Sequence, residues 1–144
     1  MVMNRVVTGA ITVSAVLLCA GPAAAQGDTF KGRLSPVPVE SSTIAGISGS
    51  GSVTATLNGR SLSIRGTFEG MQSPATLAQV HLGPKGVRGP VMFDLTATKA
   101  TSGTISGTVT LSPEQVEAVK HGRFYIQIHS EKSQDGNLWG WLIP

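Results

Sequence analysis

The chain has 144 residues, with 11 basic and 8 acidic side chains and one cysteine. This length is that of a single domain, and a lone cysteine excludes an internal disulfide, so a buried apolar core has to hold the fold. The formal net charge of +3 is small and the basic residues stand singly, which argues against the clustered positive surface of a nucleic-acid-binding protein.

Residues 1–25 have the pattern of a secretory signal peptide. Arg5 supplies a basic start, residues 6–20 form an apolar run, and three alanines end the segment at a small-residue cleavage site. The apolar run is shorter than the ~20 residues of a membrane span, and a Gly-Pro pair follows it. We therefore predict export to the periplasm or the exterior, and a mature single domain, residues 26–144, with no cysteine and no membrane span.

Apolar and polar residues alternate along most of the mature chain, a pattern typical of strands with one buried and one wet face. The strands recur about every ten residues with one helix candidate among them, which favours an all-β sandwich or barrel. We predict roughly eight short strands, near residues 30–34, 52–57, 61–68, 77–82, 91–95, 104–111, 124–129 and 137–142.

Two connections between these strands have distinctive sequences. Asn58-Gly59 predicts a tight hairpin in which both residues take a positive φ. Residues 35–51 are rich in Pro, Ser and Gly, so we predict a loop or a poorly paired edge there. Within this stretch, Ile44 and Ile47 are expected to pack against the core.

One stretch, residues 113–121, predicts a helix. Ser112 is a favourable N-cap, Pro113 suits the first helical position, and Gln115 completes a capping box. Gly122 follows at the place where a glycine commonly ends a helix. We predict that this single short helix connects two strands.

Three motifs together resemble the CHRD family, the domains that are named after chordin and that also occur singly in exported bacterial proteins. The motifs are AQVHLGPKGVRGPV at 78–91, GRFYIQIHS at 122–130 and DGNLWGWL at 135–142, and the likeness extends from Phe30 to Leu142. The resemblance implies an immunoglobulin-like fold and a binding role rather than catalysis. We therefore predict an immunoglobulin-like antiparallel β-sandwich or Greek-key barrel.

The chain departs from the family pattern at two places. Where the family usually has Ala-His-Ile-His, this chain has Gln79 before Val80 and His81, so the first histidine is absent. Where the family usually has Gly-Glu-Ile-Arg-Gly-Gln, residues 136–141 are GNLWGW. A role that depends on the family's polar cluster therefore does not carry over to these positions.

Strand alternation places an unusual set of side chains on one predicted face. In three strands the apolar residues point towards the core, which leaves amide, histidine and aromatic side chains on the opposite side. The other predicted outer faces carry mainly Ser, Thr, Lys and Arg. We call this set the aromatic face: Gln79, His81, Tyr125, Gln127, His129, Trp139 and Trp141.

The aromatic face admits three interpretations. In the first, a loop such as residues 35–51 covers it, with His81 and His129 bonded to backbone carbonyls. In the second, it binds a protein partner, a second copy of the chain or a small ligand, because aromatic rings with polar tips suit such surfaces. In the third, the two histidines bind copper or zinc. We adopt binding as the predicted function and the metal site as its alternative.

The residue patterns favour a protein that is not an enzyme and that has no cofactor. Asp94 and Glu69 have no paired carboxylate at a fixed spacing, and Ser130 directly follows His129, so their side chains point to opposite faces. The GPKGVRG stretch at 83–89 lacks the Gly-Lys-Ser/Thr ending of a phosphate loop. We predict that this stretch is a turn.

Overall fold

The computed structural model describes residues 27–144, and the predicted signal peptide, residues 1–25, lies outside them and stays a prediction. The described residues form eight strands and one α-helix, with a short 3-10 turn at Ile44–Gly46. In chain order the elements are β1 (Asp28–Pro36), β2 (Ser50–Asn58), β3 (Ser61–Glu69), β4 (Ala75–Leu82), β5 (Val91–Ala97), β6 (Gly103–Thr110), α1 (Pro113–Lys120), β7 (Phe124–Ser130) and β8 (Ser133–Trp141).

The strands pair antiparallel and close into a barrel in the order β1-β2-β3-β6-β5-β4-β7-β8. Strands β4, β5 and β6 form a meander, and β7 returns to lie beside β4, which is the arrangement of a Greek key. The predicted all-β class, the eight strands and the single connecting helix are confirmed. The immunoglobulin-like relationship stays a prediction.

The apolar halves of the alternating strands fill the barrel. β4 contributes Ala78 and Val80, and β7 contributes Ile126 and Ile128, all of them buried. Because successive side chains of a strand point to opposite faces, burying these residues turns the residues between them outwards. The outer surface of β4, β7 and β8 is therefore where the aromatic face lies.

The predicted hairpin between β2 and β3 is confirmed, but its turn differs from the predicted one. Asn58 pairs with Ser61, so Gly59 and Arg60 are the two loop residues. Gly59 has a φ of 61°, whereas the non-glycine residues of the described chain have no positive φ. This fits a type II′ turn, with glycine at its first central position. The prediction of a positive φ at Asn58 is wrong because the strand continues through that residue.

The Pro/Ser/Gly-rich stretch forms a loop between β1 and β2, as predicted. β1 extends to Pro36, and its last two residues pair with β8 instead of β2. Ile44 is 61% exposed, so the prediction that it packs against the core is wrong. Val37, at the start of the loop, is buried in its place.

Helix α1 begins with the predicted capping box. The Gln115 backbone N–H donates to Ser112 Oγ over 3.2 Å, and the Ser112 N–H donates to Gln115 Oε1 over 2.8 Å. Gly122, just beyond the helix, has a φ of 68°. Within residues 27–144, the helical segments lack the length and apolar character that crossing a membrane requires.

Candidate functional site

The structure brings the seven residues of the aromatic face together on the outer surface of three adjacent strands. In β4, β7 and β8, Gln79 pairs with Gln127, and Gln127 pairs with Trp139. In the neighbouring row on the same face, two residues away along each strand, His81 pairs with Tyr125 and Tyr125 pairs with Trp141. The faces assigned from alternation are therefore confirmed, whereas the binding role assigned to them stays a prediction.

The rings of this face form a continuous stack. His81 lies parallel to Tyr125, with ring centroids 4.9 Å apart and an interplanar angle of 17°. Tyr125 contacts Trp141 at 4.6 Å, and Trp141 contacts Trp139 edge-on at 4.7 Å. Offset and edge-to-face contacts at such distances are the favourable geometries of aromatic pairs. The stack orients each ring through its neighbour.

The loop that joins β4 to β5, residues 83–90, covers most of this stack, and we call it the cover loop. The Gly89 carbonyl lies 2.9 Å from His81 Nδ1, and the Gly89 N–H donates to the Tyr125 hydroxyl over 2.8 Å. Trp141 Nε1 donates to the Gly83 carbonyl over 2.9 Å. As a result Tyr125 is fully buried, and His81 and Trp141 are 7% and 8% exposed.

Two glycines allow the cover loop to lie close to β4 and to fold tightly on itself. A Cβ built on Gly89 would overlap the Leu82 carbonyl oxygen. A Cβ on Gly83 would lie 2.7 Å from the Val87 carbonyl oxygen, closer than such atoms approach without a shift. These glycines therefore permit a close backbone approach, a role that the prediction of a simple turn did not include.

Residues 35–51, which we considered as the cover, lie at the other end of β8. The Val37 N–H donates to the Asn137 carbonyl over 3.0 Å, and the Asn137 side-chain amide donates to the Ser48 carbonyl over 2.8 Å. This segment thus covers Asn137, whereas the cover loop covers the aromatic rings. A loop does lie over part of the aromatic face, as in the first of the three interpretations, but it is residues 83–90 and not residues 35–51.

Trp139 remains half-buried at the edge of the covered area. The Arg88 guanidinium lies 5.7 Å from the centre of its ring, within the range of a cation–π contact. Arg88 also donates to the Asp135 carbonyl over 2.8 Å, and the Gln127 amide donates to the same oxygen over 2.8 Å. These bonds fasten the cover loop to the start of β8 beside Trp139.

A groove of about 400 Å³ opens next to Trp139, between β1, β8 and the cover loop. Three cationic residues border it, Lys31 and Arg33 from β1 and Lys85 from the cover loop, and its lining includes no carboxylate residue. Strand alternation puts Lys31 and Arg33 on one face of β1. It does not predict that Lys85 and Trp139 lie beside them, because only the closure of β1 onto β8 brings these residues together. The lining residues are Lys31, Gly32, Arg33, Ser35, Lys85, Gly86, Trp139, Gly140, Trp141 and Ile143.

A larger concavity, of about 880 Å³, lies beside α1 rather than at the aromatic face. Its border mixes acidic residues, Glu114 and Glu117, with basic ones, Lys120 and Arg123, and it contains no Phe, Tyr or Trp. None of the seven residues of the aromatic face lines this concavity, whereas Trp139 and Trp141 line the smaller groove. We therefore assign the candidate binding site to the smaller groove at Trp139.

The amides of the aromatic face are engaged in hydrogen bonds within the protein. Gln79 Nε2 donates to Asp94 Oδ1 over 2.8 Å on the neighbouring strand β5. Gln127 is 2% exposed, and its amide is bonded to Asp135 as described. A ligand would therefore meet Trp139 and the half-buried Gln79 and His129 before it met any other residue of the aromatic face.

The two histidines of the face, like its amides, are hydrogen-bonded within the protein. His81 Nδ1 lies 2.9 Å from the Gly89 carbonyl, and His129 Nδ1 lies 2.7 Å from the Gln134 carbonyl. Neither Nε2 atom, both of them buried, has a hydrogen-bonding partner in the described part of the chain. Burial lowers the pKa of His81, the Gly89 carbonyl opposes this shift, and His129 and Arg88 add to it.

The described residues do not form a metal site with three or more protein ligands. Within residues 27–144, no group of three or more His, Cys, Asp or Glu side chains is arranged to hold a metal ion. The predicted alternative of a copper or zinc site would therefore depend on the two histidines of the aromatic face.

A protein-family model matches nearly all of the chain that the structure describes. The family model described as CHRD domain matches residues 30–142, a span that contains the whole aromatic face and the cover loop. Neither the curated proteins nor the solved structures give a significant match to the chain.

Proposed function

The chain belongs to the CHRD-domain family, and from this premise we propose that it is a non-catalytic binding domain that takes a small anionic ligand in the groove at Trp139. The predicted signal peptide supports a place of action in the periplasm or outside the cell. The observation that carries the proposal is the half-buried Trp139 ring in a groove bordered by Lys31, Arg33 and Lys85.

The groove has the two properties that such a ligand needs. The indole ring offers a flat apolar surface whose position is fixed by its edge-on contact with Trp141. Three ammonium and guanidinium groups around it offer attraction to a negative charge, with no lining carboxylate to oppose them. A ligand with a planar or apolar body and a carboxylate or sulfonate group would use both properties.

The covered part of the aromatic face supports the groove rather than contacting the ligand. Tyr125 and Trp141 are buried beneath the cover loop, and they fix the ring of Trp139 from one side. Preorganised aromatic anchors of this kind contribute most of the affinity of a binding site because little side-chain freedom is lost on binding. Of the predicted binding residues, Trp139 is thus the one that contacts the ligand in this groove, and Tyr125 and Trp141 support it.

The experiment uses a defined probe, 2-naphthoate, and its uncharged analogue 2-naphthamide. Isothermal titration calorimetry should show tighter binding of the naphthoate than of the naphthamide, and the affinity for the naphthoate should fall as salt screens the cations. Trp139→Ala should weaken binding at least tenfold, and Lys85→Gln by roughly two- to fivefold, as expected for one exposed charge. Lys99→Gln, in the turn after β5, makes the same change in net charge away from the groove and should bind as wild type.

Equal binding of the two probes, or an unchanged affinity in Trp139→Ala, would contradict the proposal. A protein partner or a second copy of the chain, also predicted for the aromatic face, would use the same exposed edge. A molecular mass that rises with concentration in the wild type, and that Trp139→Ala keeps monomeric, would favour the second copy and overturn the small-ligand proposal.

A further inference from the structure

His81 and His129, whose ring centroids lie 6.4 Å apart, each keep one buried ring nitrogen without a hydrogen-bonding partner among the described residues. A carbonyl oxygen only accepts hydrogen bonds, so the contacts of His81 Nδ1 with Gly89 and of His129 Nδ1 with Gln134 place a proton on each Nδ1. In a neutral ring this leaves each Nε2 as an acceptor. Both Nε2 atoms are buried, and neither meets a donor among the described residues. Buried acceptors without partners are costly, so two in one place call for an explanation.

The positions of the two rings show that they lean towards each other. His81 pairs with Tyr125, whereas His129 pairs with Leu77, so the two histidines stand four residues apart along the β4–β7 ladder. Four residues span about 13 Å of strand. The ring centroids nevertheless lie 6.4 Å apart, so the two side chains lean towards each other along the ladder. The outer edge of an imidazole carries Nε2.

The separation of the rings fits a metal ion bound between them in a line. With a metal–nitrogen distance of ~2.0 Å and a nitrogen about 1.1 Å from the centre of its ring, linear coordination places the centroids about 6.2 Å apart. Tetrahedral coordination at the same bond length would bring them to about 5 Å. The observed 6.4 Å therefore agrees with the linear arrangement.

From this geometry we propose that His81 and His129 form a two-coordinate site for a soft monovalent metal ion, Cu(I), through their Nε2 atoms. Cu(I) and its analogue Ag(I) accept two imidazole ligands in a line, whereas Zn²⁺ takes four ligands in protein sites. No cluster of three ligating residues is present in residues 27–144 to complete such a set.

The surroundings of the pair favour low ionic charge. The Arg88 guanidinium acts on His81, and a fixed positive charge repels a divalent ion twice as strongly as a monovalent one. The carbonyls of Gly89 and Gln134 fix the tautomer and the plane of each ring, as the outer partners of metal-bound histidines do. The stacked Tyr125 ring and the cover loop exclude water from one side of His81. The site is separate from the groove at Trp139, so either proposal can fail without the other.

The test is a titration of the purified protein with Ag(I) in chloride-free buffer, and with Cu(I) in anaerobic competition with bicinchoninate. A Cys19→Ser background removes the thiol, which would otherwise compete for both ions. We expect one equivalent to bind, and His81→Gln and His129→Gln each to weaken binding at least tenfold. His121→Gln removes the third histidine, whose Nδ1 is bonded to Glu117, and should bind as the background does.

Nitrogen NMR of the histidine rings gives a second readout that does not depend on a substitution. Before metal is added, His81 and His129 should both show the tautomer protonated on Nδ1, and Ag(I) should shift their Nε2 signals and not those of His121. A proton on either Nε2 or no shift at these atoms would overturn the proposal. Binding by His81→Gln or His129→Gln as tight as that of the unsubstituted background would overturn it as well. Zn²⁺ binding as tight as that of Cu(I) would refute the choice of ion.

Discussion

Replacing Trp141 by alanine tests whether the cover loop closes the aromatic face in solution. Trp141 is 8% exposed, its ring packs against Tyr125 and Trp139, and its Nε1 donates to the Gly83 carbonyl. Emptying a buried aromatic site costs roughly 3–5 kcal/mol, and the unpaired Gly83 carbonyl contributes to that loss. We expect the free energy of unfolding of Trp141→Ala, measured by urea denaturation, to fall by this amount with an unchanged m-value.

A matched variant separates burial from aromatic character. Trp139 has the same side chain and the same strand but is half-buried, with one side towards the groove. Its removal should cost about 1–2 kcal/mol, in proportion to the smaller apolar area it buries. If Trp141→Ala lost less than about 1 kcal/mol, or no more than Trp139→Ala, the cover loop would not lie over Trp141 and the reasoning would be refuted.

Three further predictions concern other contacts. Tyr125→Phe removes the hydroxyl that accepts from the Gly89 N–H and should cost about 1–3 kcal/mol in urea denaturation, since that donor is left unpaired; no change would mean that the Gly89 contact does not form. Ser112→Ala removes the N-cap of α1 and should lower the unfolding free energy by about 1 kcal/mol, whereas Ser102→Ala, in an exposed turn, should have no effect. Burial lowers the pKa of His81 below its usual 6.5, so the unfolded chain binds the extra proton. Stability is then full above pH 6.5 and is lost as the pH falls from there towards the lowered pKa. His81→Gln should flatten this part of the pH profile, and an unchanged profile would assign the loss to other groups.

The local rules of strands and helices accounted for most of the fold before the structure was known. Alternation placed Ala78 and Val80 inside and His81 outside, because the period of a strand is fixed by its backbone. The capping box of Ser112 and Gln115 located α1 to within a residue, because those side chains satisfy the first backbone donors of a helix. Such local features depend on neighbours in the sequence alone.

Contacts between distant segments could not be predicted in the same way. The sequence of residues 83–90 does not predict that Gly89 contacts both His81 and Tyr125, because these contacts depend on how closely a loop approaches a sheet face. Lys31 and Lys85 likewise border one groove only because β1 closes the barrel beside β8. Sequence patterns therefore identified the aromatic face, and the three-dimensional closure decided which parts of it are covered.

The central claim is that Trp139 is accessible at a groove while Trp141 is sealed beneath the cover loop. The chain contains two tryptophans, so Trp141→Phe leaves Trp139 as the only indole and Trp139→Phe leaves Trp141. Acrylamide quenching of each single-tryptophan protein measures that accessibility directly. We predict efficient quenching and red-shifted emission when Trp139 remains, and weak quenching with blue-shifted emission when Trp141 remains. Equal quenching of the two would contradict the closed cover loop, and shielding of Trp139 would contradict the binding groove.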